Sequence, residues 1–392
     1  MPSSSPSLPS STHLNPTAKP WVSPPASTAA SAAVLAFHRA LPDYNETALR
    51  PLPGLSRALG LGAVLLKDES DRFGLPAFKI LGASWAVHRA VSARLGIPEG
   101  AQTTPTQTIA ARARAAGLAV LTCTDGNCGR AIARVARGRL GLPVRVYVPA
   151  FVGEATRARI RGEGGAGVEV EVLVVEGSYD DCVRVVREEA RAREDAVLVL
   201  DVGFEGFEVV PTYFVQGYGT MLAESERQGL EATGGKPITH AIVPCGAGSI
   251  AEAVAAHFKS GERRRKLGDV TVIAVEPTAA ACLHESMKAG RSVSVETGHT
   301  IMDGMNCGTL SSTAWPVLQA GLDASVVVTD LESHTAVEDL KNYGIFAGPC
   351  GAATVAALRR ICADRRQDLG LDGDAVVVLY CTEGAREYKV PS

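Results

Sequence analysis

Neither sign of charge dominates this 392-residue chain: 39 lysines and arginines face 42 aspartates and glutamates, a net of -3. Without a positive surplus there is no surface suited to nucleic acid or to an anionic membrane, so neither is expected as a partner. Long apolar runs are lacking too, and no stretch approaches the ~18–20 residues of a membrane-crossing helix. The nine cysteines include no Cys-x-x-Cys pair. An odd, scattered set predicts neither a disulfide framework nor a metal site, and a reducing, cytoplasmic location. Arginine is absent from residues 1–28, which are mostly Ser, Pro, Thr and Ala, unlike an Arg-rich transit peptide. With so little apolar surface to bury, that segment is expected to be a disordered tail.

From Ala29 onward the composition is that of an ordinary globular protein, 46% hydrophobic and 21% charged over the whole chain. At ~150 residues per domain, two subdomains are expected. Short β-branched runs predict strands at Val64–Lys67, Leu118–Thr122, Val144–Val148, Val170–Val175, Val197–Asp201, Ala241–Pro244, Val270–Val275, Val326–Thr329 and Val376–Tyr380. Several are continuously apolar, as strands covered on both faces must be. Amphipathic stretches lie between them, among them Arg130–Leu140 and Tyr179–Arg193, the second preceded by Ser178, a good N-cap. Gly164–Gly167 and Gly234–Gly235 read as turns. The alternation predicts an α/β protein of βαβ units with open, twisted, mostly parallel sheets. The strand count favours two such sheets over one.

In parallel sheets of this kind ligands gather at the carboxyl ends of the strands. Five segments there carry unusual chemistry: Lys67–Gly82, Thr122–Arg130, Asp201–Gly206, Cys245–Ser249 and Cys381–Gly384. In Cys245-Gly246-Ala247-Gly248-Ser249, small residues between a strand and a helix let backbone N–H groups converge on an anion, typically phosphate. A plain tight turn has the same composition. The spacing Gly246-x-Gly248-x-x-Ala251, with Glu276 about the right distance on, also keeps a dinucleotide-binding oxidoreductase open. Lys79 stands beside the apolar Ile80–Leu81. Burial would lower its pKa and make it a nucleophile able to form a Schiff base; a lysine snorkelling from a helix face is the alternative.

Five motifs, in order, resemble the diaminopropionate ammonia-lyases. They are Lys67-Asp68-Glu69-Ser70-x-Arg72-Phe73-Gly74-Leu75-x-Ala77-Phe78-Lys79, Thr124-Asp125-Gly126-Asn127-x-Gly129-Arg130, Asp201-x-x-x-Glu205-Gly206-Phe207 with Gln216-Gly217-Tyr218, Gly246-x-Gly248, and Cys381-Thr382-Glu383-Gly384. The resemblance implies a fold type II pyridoxal-phosphate enzyme with the cofactor in a cleft between two lobes. The larger lobe would comprise residues 29–83 and 219–392, and the smaller, mobile one 84–218. By the same resemblance Lys79 is the Schiff-base lysine, with Phe78 beside it. Gly246, Ala247, Gly248 and Ser249 cradle the phosphate, Thr382 faces the ring nitrogen and Asn127 the ring hydroxyl. Thr124, Asp125, Gly126 and Asp201 are then the substrate residues.

The implied reaction is α,β-elimination of D- or L-2,3-diaminopropionate to pyruvate and ammonia, by a homodimer. Lys79 would act as base on the L form and Asp125 on the D form, with Asp201 holding the β-amino group. The sequence departs from the family at Pro76, Cys128, Gly348–Gly351 and Ala385-Arg386. These changes leave open a related lyase, dehydratase or β-replacement enzyme acting on serine, threonine or another β-substituted amino acid.

Overall fold

A computed structural model describes residues 11–24, 28–98, 104–124, 126–163 and 170–391. Its strands are β1 (Thr12–Leu14), β2 (Leu49–Pro51), β3 (Ala63–Asp68), β4 (Ala119–Cys123), β5 (Val144–Pro149), β6 (Val170–Val175), β7 (Ala196–Leu198), β8 (His240–Pro244), β9 (Thr271–Pro277), β10 (Ala324–Val328) and β11 (Val376–Cys381). They form a seven-stranded sheet in the order β1-β10-β9-β8-β11-β3-β2 and a four-stranded sheet in the order β6-β5-β4-β7. The small sheet is parallel throughout. The large one is parallel except at its two edges, where β1 and β2 run antiparallel to their neighbours.

Burial follows the apolar pattern. Every residue of β4, β8 and β11 is buried, whereas β6, at the edge of the small sheet, is mostly half-exposed. The helix Tyr179–Ala192 starts at Ser178 in a full capping box with Asp181, as its sequence predicts. The Arg130–Leu140 stretch starts earlier than expected, at Asn127, and passes at Arg134 into a π-helical segment ending at Arg139.

Two expectations need correction. Residues 11–24 of the tail are ordered: Thr12, His13 and Leu14 pair with Val326, Ser325 and Ala324. Ala18 is fully buried. Trp21 packs so closely on Gly321 that a Cβ there would come within 2.6 Å of the ring. An edge strand draws most of its stability from backbone hydrogen bonds, which composition does not reveal. The tail's first ten residues, like Gly164–Gly167, lie outside the described residues. At Val197–Asp201 only the first two residues belong to a strand; Val199 adds one further bond, to the Leu121 carbonyl, before the chain leaves the sheet.

Candidate active site

Helices and strand ends bring the five segments to one cavity of about 280 Å³. Lys79 is the first residue of the helix Lys79–Arg94, with Phe78 at its N-cap and no acidic residue in its first turn. A cation there opposes the helix dipole, a local conflict expected of a functional residue rather than a structural one. The segment is stitched to the end of β11: the Phe78 N–H donates to the Thr382 carbonyl at 3.3 Å, and Ala77 bridges to Glu383. Behind it the helix Val209–Thr233 crosses at close range. A Cβ on Gly217 would lie 2.6 Å from the Leu81 carbonyl oxygen, so only glycine fits.

The Lys79 ammonium donates to Asp201 Oδ2 at 2.5 Å, and the pair opens on the cavity with side chains 22% and 11% exposed. Burial pulls the lysine pKa down, but the Asp201 carboxylate, with Tyr218 and Cys128 adding to it, more than reverses the effect, so the amine is held well above its usual range. This corrects the expectation of a lowered pKa: in this structure the surroundings, led by the carboxylate partner, together outweigh desolvation.

Across the cavity, Asn127 starts its own short helix and donates from Nδ2 to Glu383 Oε2 at 3.4 Å. Thr124 Oγ1 accepts the N–H groups of Gly126 and Gly129, both at 2.9 Å, which shapes the turn between them. A Cβ on Gly129 would meet the Thr124 methyl at 2.2 Å, so this turn also demands glycine. Thr382 is buried where β11 ends. Gly246 and Gly248 lie between β8 and the helix Ser249–Phe258. Gly248 has φ +104°, and a Cβ on Gly246 would sit 3.0 Å from the Gly304 carbonyl oxygen. The first N–H groups of the Ser249 helix have no acceptor within the helix and carry its positive end, as an anion site requires.

The residues expected from the sequence are thus brought together: Phe78, Lys79, Thr124, Gly126, Asn127, Asp201, Gly246, Ala247, Gly248, Ser249 and Thr382 all line this cavity. Asp125 lies outside the described residues. A carbonyl-reactive amine, an anion cradle and hydroxyl and amide groups around one hollow suit pyridoxal phosphate. The dinucleotide alternative does not survive, because Glu276 is fully buried and its carboxylate is turned onto its own chain, out of reach of a ribose. Its two oxygens accept the Leu283 and His284 N–H groups at 2.7 Å.

Sequence reasoning missed the lining groups Arg159, Tyr179 and Asp303, and assigned no role to two others, Arg130 of the second motif and Arg386 among the departures from the family. Arg386 pairs with Asp303 at 3.0 Å and approaches Glu383 at 3.6 Å, placing a charged wall behind Asn127. Arg386 was visible in the sequence only as part of the Ala385-Arg386 departure after the Cys381–Gly384 motif; Asp303 carried no signal.

The profile of a family described as pyridoxal-phosphate dependent enzymes matches residues 40–383. The diaminopropionate ammonia-lyase of Salmonella typhimurium is 34% identical over 371 residues, covering 90% of this chain and 88% of that protein. The Escherichia coli K12 counterpart is 30% identical over 366 residues, with 90% and 88% covered. A crystal structure of the Escherichia coli enzyme in complex with an aminoacrylate-PLP azomethine reaction intermediate is 27% identical. It superposes with a TM-score of 0.81, covering 95% of this chain and 93% of that one.

Proposed function

The chain belongs to the pyridoxal-phosphate dependent enzymes and, among them, to the diaminopropionate ammonia-lyases; from that premise we propose that it converts 2,3-diaminopropionate and water to pyruvate and two ammonia molecules. Pyridoxal 5'-phosphate is the cofactor, and when bound it supplies the electron sink for the bond broken at Cα. Lys79 would hold its carbonyl carbon, the Gly246–Ser249 N–H groups its phosphate, Asn127 its ring hydroxyl and Thr382 its ring nitrogen, with Phe78 packed alongside.

The observation that carries this reading is the Lys79–Asp201 pair on the cavity wall. Once Lys79 Nζ is engaged, the Asp201 carboxylate is freed to accept the β-ammonium of the substrate. Lys79 Nζ, released in turn, takes the α-proton of the L substrate from one face. Asp125 takes that of the D substrate from the other, with Thr124 and Gly126 shaping the turn against the substrate. Thr382 offers the ring nitrogen a hydroxyl, which cannot hold a ring proton as a carboxylate would. Prompt loss of the β-amino group is therefore favoured over long-lived charge on Cα. The smaller lobe, residues 84–218, closes over the substrate and excludes water. The enzyme works as a cytoplasmic homodimer.

The test is release of the 2-oxo acid, pyruvate from D- and L-diaminopropionate and from D- and L-serine, and 2-oxobutanoate from threonine. Diaminopropionate should turn over fastest in both configurations, and Asp125→Asn should lower the D rate more than the L rate. Faster release from serine, or a 2-oxo acid from threonine alone, would overturn the substrate assignment.

A further inference from the structure

Tyr218, midway along the helix Val209–Thr233, is wholly buried, and among the described residues its hydroxyl has no hydrogen-bond partner. Folded proteins rarely leave a buried hydroxyl in that condition, so a missing acceptor is the first explanation to examine. The side chain has little freedom to find one elsewhere. Gly82 lies against its ring, where an added Cβ would approach Cε1 to 2.7 Å, and the Phe78 ring packs on it at 4.8 Å between centroids. Tyr218 is thereby clamped beneath the start of the Lys79 helix.

Lys79, Asp201, Cys128 and Ser249 all lie within electrostatic reach of the hydroxyl. Burial holds the phenol protonated, far above its ordinary range, so it can act only as a neutral hydroxyl. Lys79 and Asp201 are already bonded to each other. Ser249 lies close enough for its side chain to interact with the hydroxyl, but the contact does not have the geometry of a full hydrogen bond. The remaining feature nearby is the anion cradle that Ser249 and the glycines before it form, a place for phosphate oxygens.

We propose that the Tyr218 hydroxyl donates a hydrogen bond to the phosphate group of the bound cofactor, completing the cradle of Gly246–Ser249 N–H groups from the neighbouring helix. This rests on the cofactor reading above and adds a side-chain donor to it. It also accounts for the close packing at Gly82 and Gly217, which brings the tyrosine under the cofactor.

The experiment titrates wild-type and Tyr218→Phe apoprotein with pyridoxal phosphate and, separately, with pyridoxal, which lacks the phosphate. The visible absorption band and the phosphorus resonance of the bound phosphate are followed. Tyr218→Phe should bind pyridoxal phosphate about tenfold more weakly, bind pyridoxal unchanged and shift the phosphorus resonance. Its apoprotein should melt no lower than wild type, because the variant deletes an unpaired hydroxyl. Equal affinity with an unmoved resonance overturns the proposal, as does equal weakening toward both ligands. Wild-type protein that takes up no pyridoxal phosphate would overturn the cofactor reading as well, so the two failures are distinguishable. Should Tyr218→Phe not fold, wild-type apoprotein labelled with 3-fluorotyrosine decides: inorganic phosphate should move a tyrosine fluorine resonance, and no movement overturns the proposal.

Discussion

Lys67 and Lys79 stand twelve residues apart in one motif, each bonded to a carboxylate, yet their settings differ. Lys67 is fully buried, and its three N–H donors meet the Thr47 carbonyl, Glu224 and Gln228 at 2.7–3.0 Å. Arg72 joins the same cluster, donating to both oxygens of Glu69 and both of Glu224 as well as to Thr47 and Asn45. Two cations and two carboxylates are thus closed off from water. Lys79 has one carboxylate partner, opens on the cavity, and neighbours a buried hydroxyl that makes no full hydrogen bond among the described residues. Burial and pairing are common to both sites. What separates a structural lysine from a reactive one is whether its hydrogen bonds are complete, because an incomplete set leaves room for a ligand to finish it.

The comparison breaks most sharply at Lys79→Ala. It should erase the borohydride-sensitive visible band and lower pyruvate release at least about a thousandfold, while the melting temperature of the apoprotein barely moves. Lys67→Ala with a similar spectral loss but no change in melting would reverse the assignment of the two lysines.

Arg72→Met should do the opposite. It leaves Glu69 and Glu224 facing one another with one cation between them, and breaking a buried network of this kind costs about 3–5 kcal/mol. Denaturant unfolding should show that loss, and the fraction that stays folded should still take up the cofactor.

A subtler effect is expected at Asp201→Asn. Asp201 leads the groups that lift the Lys79 pKa above its usual range against the pull of burial. Without it burial is opposed only by Tyr218 and Cys128, the pKa falls, and the neutral amine exists at lower pH. The rate at which apoprotein forms the visible band should therefore extend to more acid solution than in wild type. A profile displaced to higher pH, or not displaced, would mean the pair does not set the lysine's protonation.

Much of the fold was legible because its inner strands are continuous apolar runs: all nine expected strands are present in some form. The two that were not foreseen, β1 and β2, are three-residue antiparallel edges. They bury little, and their place comes from hydrogen bonds to β10 and β3, which no composition encodes. The same reason explains the tail, which Ala18 and Trp21 anchor with few apolar contacts. At the site, glycine turns and the residues around them were readable from motif order, since only small residues allow those close approaches. Asp303 was not, and Arg386 stood out only as a departure from the family with no role attached, because a single charged residue on a loop has no local pattern.

By itself the sequence determined the alternation of strands and helices, the glycine loop, and the chemistry available at each strand end, since these depend on side chains only a few positions apart. Tertiary structure alone decided that Lys79 meets Asp201, 122 residues away, that Lys67 does not reach the cavity, and that the Tyr218 hydroxyl is buried without a full hydrogen bond among the described residues. Those facts follow from how two sheets and two crossing helices pack, and packing joins residues whose separation along the chain carries no information about their distance in space.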